Sequence, residues 1–190
     1  MWAPTDQLAL DASTLERVLQ TCVEMVTDRG YVVERASVGM DPVLIAHHPD
    51  EAGALHVRFQ LDEKVGVKLV RQMLGELAGR DVHRLLLVSA DGPTPFTRKE
   101  VAEDGRIEFW TFARLLFNVT RFHIVPPHRL VGVDEAAALA KRYHVSGADE
   151  WPKMKRTDPV CRYYDFPVGR LVRIDRFFAG AVNTYYRLVV

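Results

Sequence analysis

The sequence predicts an α/β domain with a mixed sheet over residues 1–120 and a small α+β domain over residues 121–190, and three observations carry that division. Apolar residues recur at helical spacing over 15–26 and again over 65–77, with short β-branched runs between them. The continuous apolar run Leu85 to Val88, bounded by Asp91-Gly92-Pro93, has the pattern of a strand covered on both faces. The pattern then breaks at Val125-Pro126-Pro127-His128, where two prolines stiffen the chain before a fresh helix begins near Asp134.

Composition bounds the function classes. A chain of 190 residues buries roughly 70% of its unfolded surface. Its hydrophobic fraction of 48% is ordinary for a folded protein. No apolar run approaches the ~20 residues of a membrane span, and Met1 to Asp6 lacks a basic-then-apolar signal pattern. The expectation is a soluble protein that stays inside the cell and has no membrane contact. Cys22 and Cys161 are far apart and lack metal-ligand spacing, so both read as buried reduced thiols. The net charge of +0 hides an asymmetry: residues 1–60 hold 4 Lys/Arg against 9 Asp/Glu, and residues 121–190 hold 12 against 7. The basic tail suits a polyanionic or acidic partner, and equally a solvated face.

In chain order, Ser13-Thr14-Leu15-Glu16 has capping-box spacing, and Leu15, Val18, Leu19, Cys22 and Val26 form one apolar stripe that ends at Gly30. Tyr31 to Val33, Val43 to Ala46 and Leu55 to Leu61 read as antiparallel strands, the last alternating as a half-buried strand does. Val65 to Ala78 reads as the second helix, with Gly79 as its stop. After the Leu85 to Val88 strand, a loop over 90–99 leads into a helix that Thr97 is placed to cap. Arg106 to Trp110 is the next strand, making a strand–helix–strand crossover, and Phe112 to Phe117 is a last helix. Open α/β sheets carry function at the carboxyl ends of their strands, which is where the loop after Val88 falls. In the second part, Asp134 to Tyr143 reads as a helix packing through Ala137, Leu139, Ala140 and Tyr143.

Few residues carry a recognisable chemistry. Asp50, Asp62 and Lys64 sit in a Pro49-Asp50 and Asp62-Glu63-Lys64 pattern that fits magnesium-dependent nucleases, in which two carboxylates hold the ion and a lysine assists. Both pieces also suit a turn and a helix cap. The pairs His47-His48 and His123 with His128 lack a third ligand at usable spacing. No glycine-rich phosphate loop is present, since Asp91 to Pro95 holds one glycine and two prolines. Asn118-Val119-Thr120 matches a glycosylation acceptor, which has no meaning without secretion.

The stretch Pro152 to Arg176 and on to Val190 is the most specific. Thr157 or Asp158 is placed to accept from the next turn, and Pro159 suits a first helical position because its missing N–H would be unpaired there. A short helix starts there, Gly169 then breaks the pattern, Leu171 to Ile174 is a strand, and Thr184 to Val190 is a second strand after a turn near Gly180. Pro152, Met154, Asp158-Pro159-Val160, Arg162-Tyr163, Gly169, Ile174, Arg176 and Tyr186-Arg187, in that order, resemble the C-terminal assembly domain of the fifth common subunit of eukaryotic nuclear RNA polymerases, a domain shared with a small archaeal RNA polymerase subunit. Asp28-Arg29-Gly30-Tyr31, Lys64 to Lys68, Thr94-Pro95 and Phe122 to His128 resemble the eukaryotic members, which add a jaw domain that the archaeal one lacks. The resemblance therefore covers nearly the whole chain. Two stretches depart from it: the segment from Gly30 to Val43 is shorter than the usual jaw, and Phe177 to Asn183 replaces a Ser/Thr-containing turn. Phe177 and Phe178 there are either a local hydrophobic plug or a contact anchor.

The resemblance implies a restriction-endonuclease-like fold for the jaw over 1–120 and an assembly domain over 121–190, in a non-catalytic polymerase subunit without cofactor or metal. It implies docking on the largest subunit and other core subunits, with Asp158, Pro159, Arg162, Tyr163, Arg176, Phe177, Phe178, Tyr186 and Arg187 framing the surface. Asp158 and Pro159 suit a helix start as well as a contact. It implies non-sequence-specific contact with downstream duplex DNA through Thr94 and Pro95, with Thr97, Arg98 and Lys99 beside them, although the two cations also suit a solvated helix face. Transcription factors are further partners that it implies. The location implied is the nucleus for a cellular subunit, or a virion or cytoplasmic viral factory for a large-DNA-virus version.

Overall fold

The computed structural model describes residues 10–61, 65–78, 81–178 and 180–190, which divide into two compact units, residues 1–117 and 118–190. In the first unit, helix α1 (Ala12–Asp28) buries Leu15, Val18, Leu19, Cys22, Met25 and Val26, the stripe its periodicity predicts plus one turn-related methionine. Its cap is Asp11, whose Oδ1 accepts from the Thr14 N–H at 2.8 Å, so the capping box expected at Ser13 does not form. A carboxylate two residues earlier satisfies the N3 amide, and Ser13 becomes part of the helix.

Strands β1 (Val32–Ala36), β2 (Leu44–His47) and β3 (Ala54–Gln60) are antiparallel neighbours, as the sequence suggests. From β3 the chain passes through α2 (Val67–Ala78) to β4 (Val82–Ser89), then through α3 (Pro95–Asp104) to β5 (Ile107–Thr111). The strands β3, β4 and β5 pair in parallel, giving a mixed sheet of order β1-β2-β3-β4-β5. One face of this sheet packs Leu85, Leu87 and Ile107 against Val70, Met73 and Leu77 of α2. Leu86 and Val88 point to the other face and are fully buried as well, which is why β4 reads as an unbroken apolar run. Helix α4 (Phe112–Leu115) is a single turn, shorter than its apolar residues suggested. Gly79 lies outside the described residues.

Strand β3 departs from the half-buried alternation expected of it. Ala54 to Arg58 are buried in succession, because β3 is the middle strand of five and both its faces are covered. Polar members need partners there: the Arg58 guanidinium meets Glu76 at 2.9 Å and Asp41 at 3.2 Å. A second buried cation ties α1 to β5. Arg29, with its side chain 3% exposed, donates to both oxygens of Glu108 at 2.9 and 3.0 Å, and Glu108 also accepts from the Trp110 indole at 2.7 Å.

The second unit holds β6 (His128–Leu130), α5 (Val133–Tyr143), β7 (Lys153–Met154), α6 (Pro159–Tyr164), β8 (Leu171–Phe178) and β9 (Ala181–Val189), with the sheet order β6-β8-β9-β7. The Val125-Pro126-Pro127-His128 stretch, where the pattern breaks, lies inside this unit, which starts at Asn118 with a 3-10 turn, Val119–Arg121. One core joins Met154, Val160, Cys161, Phe166, Val172, Ile174 and Val189; another joins Val131, Leu139, Leu171 and Leu188. Helix α5 packs through Leu139 and Ala136, whereas Ala137, expected on that face, is exposed. The terminal hairpin is longer than predicted. Its pairing runs on through Phe177 with Val182 and Phe178 with Ala181, so the two aromatics are strand residues, and Gly180 with φ of +80° makes the turn.

Candidate partner and nucleic-acid surfaces

The C-terminal motif separates into residues that build the unit and residues that face outward. Asp158 caps α6: its Oδ1 accepts from the Val160 and Cys161 amides at 2.9 and 3.3 Å, and Pro159 occupies the first helical position. Tyr163 is 2% exposed, and its hydroxyl accepts from the Asn118 amide nitrogen at 2.8 Å. Asn118 in turn holds the Thr120 amide and hydroxyl at 2.9 and 2.6 Å. Tyr163 is therefore internal, a correction to its place in the expected interface, while Asp158 is half-buried and caps the helix start as its sequence position suggested. Their physical role is to anchor α6 at its start and to tie it to the turn that enters the unit.

Arg176 and Arg187 are exposed on the hairpin strands. The Arg176 guanidinium lies 5.3 Å over the Tyr185 ring, and Arg187 donates to the Lys153 carbonyl at 3.4 Å. Arg162, in the last turn of α6, is half-exposed. Tyr186 is half-buried in a ring cluster with Trp151 and Tyr143, at centroid distances of 6.4 and 6.1 Å. Phe177 is 76% exposed. Phe178 pairs with Ala181 at the hairpin end, and its side chain lies outside the described residues.

Two features of this surface escaped sequence reasoning. Asp175 accepts from the Thr184 hydroxyl at 2.6 Å and from Arg173 Nε at 2.9 Å; the Thr184 bond first, and Arg173 second, hold its carboxyl below the usual range. Tyr185 and Ile124, both at least half exposed, line a groove of about 760 Å³ between residues 123–127 and the hairpin. The signal for Asp175 was its two-residue spacing from Arg173 on one strand face; the groove has no sequence signal, because its walls are far apart in the chain.

In the first unit the loop after β4 places Thr94, Pro95, Arg98 and Lys99 on the surface. Thr97 is different: it is fully buried, and its hydroxyl donates to the Val65 carbonyl at 3.2 Å. The helix start is capped instead by Thr94, whose Oγ1 accepts from the Thr97 amide at 3.3 Å. Thr97 thus holds α3 to Val65, two residues before α2, and is not available to a phosphate. Phe96, not singled out from the sequence, is 83% exposed.

The residues proposed for magnesium do not form a described site. Asp50 is exposed in the β2–β3 turn, with its amide donating to His48 Nδ1 at 3.2 Å. Asp62 and Lys64 lie outside the described residues. Among the described residues no group of three His, Cys, Asp or Glu side chains is arranged to hold a metal ion, and Asp50 is the one carboxylate of the pattern among the described residues. His47 pairs instead with Glu34 at 2.8 Å across β1 and β2. No described helix is long and apolar enough to cross a membrane.

Residues 117–189 match a family described as RNA polymerase Rpb5, C-terminal domain, and residues 9–117 match one described as restriction endonuclease. The "DNA-directed RNA polymerases I, II, and III subunit RPABC1" of Caenorhabditis elegans is 29% identical over 208 aligned positions, covering 95% of this chain and 98% of that protein. The protein of the same name from Caenorhabditis briggsae has the same figures. The one from Dictyostelium discoideum is 27% identical over 192 positions, covering 92% and 97%.

Proposed function

Because the chain belongs to the family of Rpb5-type subunits of DNA-directed RNA polymerases, we propose that it is assembled into such an enzyme through its C-terminal unit. In this role it is a non-catalytic subunit, and RNA synthesis belongs to other subunits of the complex. The single observation behind the docking reading is the outward placement of Arg176, Arg187 and Phe177 on the hairpin strands, whereas the motif residue Tyr163 is buried and bonded within the unit. Exposed arginines beside aromatics are strong anchors once a partner desolvates them, each worth up to a few kcal/mol.

The partner in this reading is the largest polymerase subunit, with Arg162, Tyr186 and Pro159 completing the surface and the remaining core subunits and transcription factors as neighbours. A tagged chain recovered from cells should bring down the polymerase core, and Arg162→Ala with Arg187→Ala should reduce that recovery at unchanged folding. Unchanged recovery would overturn the docking surface. The nuclear location goes with the same reading, and imaging of the tagged chain tests it.

The first unit, in this proposal, lies along duplex DNA, with Thr94, Pro95, Arg98 and Lys99 facing phosphates and no base-reading group. Two cations at a helix start suit a phosphate, and one or two such contacts give a salt slope of only roughly −0.9 each. Crosslinks from downstream DNA to residues 94–99 in an elongating complex support this, and a loop directed away from the duplex refutes it. The nuclease alternative is not favoured: Asp50 stands in an exposed turn, and relatives spanning 92–95% of the chain are named as polymerase subunits.

A further inference from the structure

Beyond Ile174 the sheet of the C-terminal unit narrows to a two-stranded ribbon. Strand β6 pairs with β8 only from Val172 to Ile174, and the Asp175 amide donates to the Pro127 carbonyl at 3.2 Å. Successive residues of a strand turn their backbone groups to alternate edges, so Phe177 faces the same side as Asp175. Among the described residues, no strand lies beside Phe177 on that edge. An open edge of this kind is a template for another strand, and a two-stranded ribbon is marginal by itself in water.

The edge also has a seat beside it. The groove between residues 123–127 and the hairpin is lined by apolar Ile124, Tyr185 and Phe177, which are 77%, 50% and 76% exposed. Charge then selects the occupant. Asp175 is engaged by Thr184 and Arg173, whereas Arg176 in the same wall is exposed, stacks on Tyr185 and has no ion-pair partner among the described residues.

We infer that this groove takes an extended acidic and apolar segment of a partner polypeptide, added as a strand to the open edge of β8. Its backbone pairs with the Phe177 N–H and carbonyl, alternate apolar side chains cover Ile124 and Tyr185, and a carboxylate meets Arg176. Main-chain pairing supplies affinity and the alternate side chains supply selectivity. The inference rests on the assembly role proposed above and specifies the chemistry of one contact within it.

The test uses the full chain and a fluorescein-labelled octapeptide alternating valine with glutamate. Two controls accompany it: the valine–lysine counterpart, and the glutamate peptide N-methylated at alternate residues to block backbone pairing. The glutamate peptide should bind at least tenfold more tightly than either control, Arg176→Glu should invert the preference between charges, and Ile124→Ser should weaken both. Equal binding of the methylated and unmethylated peptides, or indifference to Arg176→Glu, overturns the inference. So does a concentration-dependent dimer that Arg176→Glu abolishes and the peptide does not compete, since the edge would then serve a second copy. Recovery of polymerase core with the tagged wild-type chain reads the assembly role separately: core recovered with no peptide selectivity sinks the strand addition alone, and no core recovered sinks the assembly role itself.

Discussion

Replacing Asp158 by alanine discriminates a residue that builds the assembly unit from one that touches a partner. The carboxylate holds two amides of the first turn of α6, Val160 at 2.9 Å and Cys161 at 3.3 Å, while Pro159 has no N–H to satisfy. Loss of an N-cap costs typically about 1 kcal/mol and up to about 2. Val160 and Cys161 belong to the same core as Val172 and Val189, so the loss spreads through the unit. One to two kcal/mol is a factor of about 5–30 in the folded ratio, and native-state hydrogen exchange reads it directly. The amides of Val172 and Val189 should exchange about 5–30 times faster in Asp158→Ala, and Asp158→Asn, which keeps one acceptor oxygen, should show a smaller change. Unchanged exchange together with lost polymerase recovery would refute the capping role and make Asp158 a contact residue.

Three other perturbations follow from particular contacts. Arg29→Ala leaves Glu108 without its bidentate partner and should destabilise the first unit by about 3–5 kcal/mol in urea unfolding, the range for breaking one half of a buried pair; a loss under 1 kcal/mol would mean that Arg84 compensates. His128 is held below its ordinary 6.5, first by burial, and its Nδ1 lies 2.6 Å from the Pro126 carbonyl. The unfolded chain then binds the proton more readily, so stability of the second unit is full above about pH 6.5 and declines as the pH falls below it; His128→Gln should flatten that decline, and an unchanged slope would exclude His128 as its source. Cys22 is fully buried and its thiol is pushed up to about 12, by burial first, so a thiol reagent at pH 8 should label it only as fast as the first unit opens, whereas labelling within the mixing time would contradict its packing.

The order of elements was legible because it rests on local rules. The stripe Leu15, Val18, Leu19, Cys22, Val26 fixed one buried face of α1, the run Leu85 to Val88 marked a strand covered on both sides, and Asp158-Pro159 marked a helix start. The family was legible for a related reason: its positions fall in a set order along the chain. What the sequence could not decide is what depends on neighbours from elsewhere in the chain. Leu55 to Arg58 alternate in polarity, yet a middle strand of a mixed sheet buries them all, and Arg58 is accommodated only because Asp41 and Glu76 meet it there. Thr97 looked like a cap until Val65, 32 residues away, supplied a carbonyl for its hydroxyl. Tyr163 looked like an anchor until Asn118, 45 residues away, took its hydroxyl. A side chain's type limits the bonds it can make, but burial and partner are set by packing between distant segments, and that packing exists only in the folded chain.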